Sequence, residues 1–284
     1  MAELNKLTSF MCNAFKPLVG EKIYKKMRQK KIEPKELKNF TSLTSVPLDS
    51  VHLVAHRGLS AAEPENTAPS FEAAGEAGGY YGFECDTHMS KDGVWMILHD
   101  PELHTIYNGE GDVKNFTSDE LMKLKVVRGA NVEKYDDLKM CTLQEYIDIC
   151  KKYGCRPIIE IKDPRTECMQ SFYDVLVKND IVDKVTVISF IIEDLRALHA
   201  INRSVDMWYL VDYINTKNIA EAKESGCSGM DFSSAFNACR PEWIKKVNDN
   251  GLISACWTVD NKEDLDAMLK AGVKYITTNS ILAK

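Results

Sequence analysis

HLVAHRGLSAAEPENTAPSFEAAGEAGGYYGFECDTH, residues 52–88, holds one complete strand, helix and strand repeat. The apolar run from His52 to Ala55 reads as a buried strand. Ala68 to Ala77 is amphipathic at helical spacing and is followed by Gly78, where a C-terminal cap is expected. Gly82 to His88 is a second strand, which places Glu84, Asp86 and His88 at i, i+2 and i+4 on one face. Two strands joined by a helical crossover are the unit of a parallel sheet.

The same alternation continues toward the C-terminus. Further strands are expected at Pro157 to Ile161, Val185 to Phe190, Val205 to Val211, Gly229 to Phe232, Ile253 to Val259 and Tyr275 to Thr277. Helices are expected at Leu143 to Tyr153, Cys168 to Lys178, Asp194 to Ile201, Ile219 to Ser225, Glu242 to Asn248 and Lys262 to Ala271. Gly154, Gly226, Gly251 and Gly272 stand where several of these helices end. Eight strands with helical crossovers predict an α/β protein, a (β/α)8 TIM barrel. An open Rossmann sheet is disfavoured, because no glycine fingerprint follows the first strand.

Two features interrupt the alternation. Lys91-Asp92-Gly93 is a tight-turn signal that returns the chain through Val94 to Leu98, so the second strand is expected to be doubled by a hairpin. Residues 100–141 then form a long polar insertion with one helical stretch, Ser118 to Lys125; a loop of that length reads as a lid or a binding loop. The barrel domain is assigned to 51–284 and a basic, helical N-terminal extension to 1–50. After the last strand no room is left for an eighth outer helix, and a helix within residues 20–40 is a candidate for its place.

With 44% apolar and 27% charged residues, the chain has the composition of a soluble globular protein with a real core. No stretch is long and apolar enough for a membrane span. Nine scattered cysteines without a CxxC pair, and an N-terminus without a secretory pattern, predict reduced thiols and a cytoplasmic location. Residues 1–50 carry ten Lys/Arg against five Asp/Glu, whereas the whole chain has a net charge of −6. The run Lys22-x-x-Lys25-Lys26-x-Arg28-x-Lys30-Lys31 is most simply a solvated helix face, and nucleic acid is not expected as a partner. Phe10, Met11, Phe15, Leu18 and Val19 nearby keep a membrane-surface contact through residues 1–40 open. Gly109-x-Gly111 follows no buried strand and opens no helix, so it is not a nucleotide loop.

In such a barrel the active site lies at the carboxyl ends of the strands. There the first strand ends in His56-Arg57-Gly58, the second carries Glu84, Asp86 and His88, the hairpin return ends in His99-Asp100, and the third strand carries Glu160 and Lys162. Three carboxylates converging on one barrel mouth repel by about 4 kcal/mol per pair at about 4 Å and an effective dielectric near 20. A cation is the natural remedy, and all-oxygen ligation suits one hard divalent ion, Mg2+ or Ca2+. The commonplace alternative is strand-end charges paired with Arg57 and Lys162.

The ordered set His56-Arg57-Gly58, Glu65-Asn66-Thr67, Glu84-x-Asp86, Lys91-Asp92-Gly93, His99-Asp100, Thr142-Leu143-x-Glu145, Glu160-x-Lys162, Ser189-Phe190 and Trp257-Thr258-Val259 resembles the glycerophosphodiester phosphodiesterase family over roughly residues 51–280. The resemblance implies an enzyme of lipid and glycerol metabolism that hydrolyses small glycerophosphodiesters to glycerol 3-phosphate and an alcohol. It implies Glu84, Asp86 and Glu160 as metal ligands, His56 and His99 as the acid/base pair, and Arg57 and Lys162 as phosphate-binding residues. Glu65 either supports the ligands or touches the ion, unless Asn66 or Thr67 merely caps the following helix. His88 and Asp100 are expected in supporting positions, and Phe190 and Trp257, at inward-facing strand positions, either line the pocket or fill the barrel. His52, at the start of the first strand, is expected at the opposite end of the barrel. Two departures bear on substrate preference: Thr278-Asn279 replaces the family's usual Thr-Asp, and His104 stands where an arginine is common. Phospholipase C- or D-like cleavage of intact lipid, or a non-catalytic barrel that binds a phosphodiester, are the alternative functions.

Overall fold

The computed structural model describes residues 51–163, 166–235 and 240–282. β1 (His52–His56) pairs in parallel with β2 (Gly82–Met89) on one side and with β10 (Tyr275–Thr278) on the other. From β2 the ring runs through β5 (Arg156–Ile161), β6 (Thr186–Ser189), β7 (Asp206–Val211), β8 (Gly229–Ser233) and β9 (Ile253–Trp257) back to β10, every pairing parallel. The eight expected strands are therefore present and close into a TIM barrel. Closure leaves no sheet edge in the ring, which removes the unpaired backbone groups of an open sheet.

The helices α1 (Ala68–Ala77), α3 (Leu143–Tyr153), α4 (Met169–Lys178), α5 (Ile192–Ile201), α6 (Thr216–Glu224), α7 (Pro241–Asp249) and α8 (Lys262–Ala271) lie in sequence between the barrel strands. Their apolar stripes and the outward strand residues form the main core, where Phe71, Phe83, Tyr146, Phe172 and Phe232 are fully buried. α3 and α8 stop at Gly154 and Gly272, whose left-handed backbone would strain any other residue. The expected basic extension, residues 1–50, lies outside the described residues, as does the helix proposed within it.

Tyr146 on α3 ties two barrel strands together. Its hydroxyl donates to the Phe83 carbonyl of β2 and accepts from the Ile158 amide of β5. Tyr146→Phe leaves that amide buried without an acceptor and is expected to cost about 1–3 kcal/mol in urea unfolding. No loss of stability would show that this bridge contributes nothing.

A smaller set of side chains fills the barrel itself. Val54, Ile158, Trp208 and Ala255 come from alternate strands and form one apolar layer. The strand register puts Glu84, Ile188, Asp231 and Thr277 in the next layer up, and His56, Glu160, Leu210 and Trp257 above them. Below the apolar layers His52 stacks 4.7 Å from Tyr275, so it lies at the far end of the barrel, as its place at the start of β1 implied.

The hairpin return is shorter than expected. β3 (Trp95–Ile97) pairs antiparallel with β2, and its outer edge is taken by a two-residue strand absent from the sequence reading, β4 (Cys141–Thr142). In the insertion the expected helix ends early, as α2 (Ser118–Leu121), and the remaining turns are short 3-10 segments. Periodicity failed here because the segment is organised by its own core of Leu103, Tyr107, Val113, Leu121, Val126 and Met140 rather than by a long amphipathic face. Asp92 anchors the insertion to the hairpin turn by accepting hydrogen bonds from the Ser118 amide and hydroxyl, both at 2.8 Å.

Candidate active site

The β1–α1 turn is built to aim one arginine. Arg57 and Gly58 both have positive φ, 57° and 78°, and a Cβ on residue 58 would overlap the Ser70 backbone. The Arg57 carbonyl accepts from the Asn66 amide at 3.1 Å and from Ser70 Oγ at 2.8 Å, which holds the bend. The guanidinium then lies in the barrel mouth, with Nε 3.0 Å from Asp86 Oδ2 and Nη1 donating to Glu65 Oε1 at 3.0 Å.

Around it the strands bring the predicted acids together. Oxygens of Glu84, Asp86 and Glu160 all lie within 4.8 Å of one another, and each residue is at least nine-tenths buried. The Arg57 amide donates to Glu84 Oε2 at 3.0 Å. Lys162 Nζ sits 2.9 Å from Glu160 and 3.4 Å from Asp86. The ion-pair reading weighed for the sequence is thus realised, but the two cations do not balance the cluster. Burial, together with the neighbouring Asp86, pushes the Glu84 carboxyl well above the usual range. Burial also raises Glu160, to about 7, against the pull of Lys162. Asp86 is equally buried, yet Arg57 and Lys162 hold it well below the usual range. Its Oδ1 has no hydrogen-bond partner. Three hard oxygen donors, two of them unable to ionise fully without help, fit a divalent cation of the Mg2+ or Ca2+ type.

Two imidazoles flank this cluster. His56 Nε2 is 3.9 Å from Glu84, and its Nδ1 is 2.7 Å from Asn279 Oδ1. Asp260 fixes the Asn279 amide by accepting from its Nδ2 at 2.6 Å and from its backbone N–H at 2.7 Å. The amide oxygen must therefore face His56, so Nδ1 carries the proton and Nε2 presents a lone pair to the cluster. Burial and Arg57 push the His56 pKa down to about 3. His99 is also lowered, by burial and then by Arg57 and Lys162, and its Nδ1 meets Asp100 Oδ1 at 3.1 Å. His88 bridges Asp163 Oδ2, at 2.8 Å, and the His99 carbonyl, at 3.0 Å, so it fixes the backbone from which the His99 ring projects.

Several sequence expectations are sharpened or corrected. Asn66 and Thr67 do not cap α1 through their side chains. Instead Asn66 Nδ2 donates to Asp86 Oδ2 at 2.8 Å, and Thr67 Oγ1 donates to the Pro64 carbonyl. Asn279 orients His56, and the negative charge expected at that corner sits on Asp260. Asn279→Leu would remove the acceptor that holds the proton on His56 Nδ1 and is expected to lower kcat about tenfold or more by freeing the His56 tautomer, with KM little changed. Unaltered kcat in steady-state assays would separate this corner from the chemistry. His104 lies in the insertion, half exposed and 3.8 Å from Glu102, with no contact to the cluster. Phe190 and Trp257 meet edge to face at 5.8 Å, and Phe190 is 40% exposed. Asp163, Asp260 and Asp231 were not singled out from the sequence. The last carried a usable signal, as an acid between Gly229 and Ser233 on the face of β8 that alternation turns inward.

A profile of the glycerophosphoryl diester phosphodiesterase family matches residues 56–283. A glycerophosphodiester phosphodiesterase of Caldanaerobacter subterraneus is 31% identical over 235 residues, covering 80% of this chain and 93% of that protein. One of Bacillus subtilis is 29% identical over 248 residues, covering 81% and 84%. Among solved structures, a glycerophosphodiester phosphodiesterase from Parabacteroides distasonis aligns with a TM-score of 0.69 at 26% identity, covering 81% of this chain and 93% of that one. A phosphodiesterase from Oleispira antarctica, solved with the product sn-glycerol-3-phosphate, shares the fold with a TM-score of 0.75 at 23% identity, covering 81% and 93%. With its ordered motifs, its closed barrel and this match along most of its length, the chain belongs to the glycerophosphoryl diester phosphodiesterase family.

Proposed function

We propose that the protein hydrolyses glycerophosphodiesters to glycerol 3-phosphate and an alcohol, with one divalent ion held by Glu84, Asp86 and Glu160. The observation that carries this reading is the convergence of three buried acids, two cations and two imidazoles on one barrel mouth. The ion, Mg2+ or Ca2+, supplies charge neutralisation to the phosphoryl oxygens when bound. Arg57 and Lys162 share that task and orient the phosphate. His56, with its Nε2 lone pair facing the site, takes the proton of the attacking hydroxyl or water. His99, whose imidazolium Asp100 stabilises, returns a proton to the alcohol oxygen as its bond to phosphorus breaks. Glu65 and Asn66 hold Arg57 and Asp86 in register with each other.

Residues 100–141 serve as a wall or lid over the mouth. Their tie to the β1–α1 turn is Glu63, which accepts from Lys134 Nζ and from the Tyr135 hydroxyl, both at 2.9 Å. Exposed Phe190 and Tyr213, near the carboxyl ends of β6 and β7, also support a lipid-cleaving alternative. The test compares release of the alcohol from water-soluble glycerophosphodiesters and from phospholipid vesicles, each with Mg2+ or Ca2+ and with excess chelator. Full activity in chelator excludes the metal, and activity on vesicles alone excludes the lead substrate.

A further inference from the structure

Asp231 is a buried acid of the barrel interior that the scheme above does not use. It lies on β8 in register with Leu210 of β7 and Ala255 of β9, both of which belong to the apolar filling of the barrel. Residues in register on neighbouring parallel strands project to the same face, so the Asp231 carboxyl points inward and away from the surrounding helices. It shares a layer with Glu84, one layer beneath Glu160 and His56. Asp231 is only 3% exposed, and its Oδ1 is buried without a hydrogen-bond partner. Its neighbours in register, Leu210 and Ala255, have no side-chain donor to offer. Burial, and then the Glu160 charge, push its carboxyl well above the usual range.

A buried carboxyl oxygen without a donor is costly, and such groups are retained in native proteins where a ligand, an ion or a water completes them. The floor of the acidic cluster supplies that setting. Glu84, Asp86, Glu160 and Asp231 are four carboxyls facing the two cations Arg57 and Lys162, an excess of acid that a divalent ion would allow to ionise. Ions of this kind, Mg2+ above all, keep part of their hydration shell when bound to protein carboxylates.

We infer that Asp231 belongs to the ion site as a fourth acid, which accepts a hydrogen bond from the ion's hydration shell beneath Glu160 and so strengthens ion binding. This inference rests on the assignment of Glu84, Asp86 and Glu160 as ligands. Asp231 is a positioning residue for the ion and touches no reacting atom. Its effect belongs to the affinity of the substrate-free protein.

The test titrates Mg2+ and Ca2+ separately into the full-length, metal-stripped protein by calorimetry, for wild type, Asp231→Asn, Asp231→Ala and Glu160→Gln. Asp231→Asn preserves shape while removing the charge, and Asp231→Ala provides a second variant if the amide folds poorly. Thermal unfolding of each stripped variant reports the fold. The expected result is an unfolding midpoint at or above that of wild type and ion affinity weakened about 10- to 100-fold, the range for partners that support metal ligands from outside the first coordination shell. Affinity within twofold of wild type in a folded Asp231 variant overturns the inference while leaving the ligand assignment intact. If wild type and Glu160→Gln bind both ions equally weakly, the ligand assignment falls and this inference with it.

Discussion

His99→Ala is expected to lower kcat by about 100- to 10,000-fold, the range for loss of a positioned general acid or base, equivalent to about 2.7–5.5 kcal/mol of transition-state stabilisation. The His99 side chain is 33% exposed and stands on a backbone fixed by His88, so its removal empties little packed space and the fold should persist. KM should change little, because the phosphate is held by Arg57 and Lys162. His56→Ala should give a loss in kcat of the same order, with a stability cost added, since His56 is more enclosed and is tied to Asn279. Steady-state kinetics at saturating metal, with unfolding curves for both variants, make the comparison. Wild-type turnover in either variant would remove that ring from the chemistry, whereas a wild-type protein that binds a phosphodiester without turning it over would favour a barrel that only binds.

The second large effect concerns the acids. Glu160→Gln keeps the shape of the cluster but withdraws one anionic donor, and kcat/KM at a fixed Mg2+ concentration is expected to fall about a thousandfold, or about 4 kcal/mol. Part of the loss should return at higher metal concentration, which separates lost affinity from lost chemistry. The fold should survive, because Lys162 retains Asp86 at 3.4 Å. Asp86 is different. It meets Arg57, Lys162 and Asn66 at once, and it is the acid of the cluster held firmly ionised. Asp86→Asn leaves two largely buried cations without their shared carboxylate, and unfolding experiments should show a loss of about 3–5 kcal/mol. The cleaner kinetic readout is therefore Glu160→Gln. Activity of that variant equal to wild type across a metal titration would exclude Glu160 as a ligand.

The barrel was legible because its signals are local and repeated. Each strand is a short apolar run, each helix a period of 3.6, and a glycine stands where helices such as α3 and α8 must stop. The grouping of His56, Arg57, Glu84, Asp86, Glu160 and Lys162 was legible for a related reason. Alternation along a strand decides which side chains face inward, and the barrel gathers strand ends at one mouth. The insertion was not legible, since its fold depends on non-local contacts such as the Asp92 anchor and a core assembled from scattered residues. The capping alternative for Asn66 and Thr67 before α1 is not realised, for a similar reason. The capping pattern is a local rule, and the buried Asp86 carboxylate out-competes it for Asn66.

Local patterns of residues sufficed for the order of strands and helices, the number of strands available to close a barrel, and the identity of the charged groups carried to its mouth. The state of those groups follows from how the folded chain packs around them. That Asn279 turns its oxygen to His56, that Asp260 forces it to do so, that His88 braces His99, and that Asp231 Oδ1 lacks a hydrogen-bond partner beneath Glu160 all depend on residues far apart in the chain. The physical reason is that a hydrogen-bond direction or a shifted titration is set by distance, burial and neighbouring charge, whereas strand and helix periods are set by residues a few positions apart.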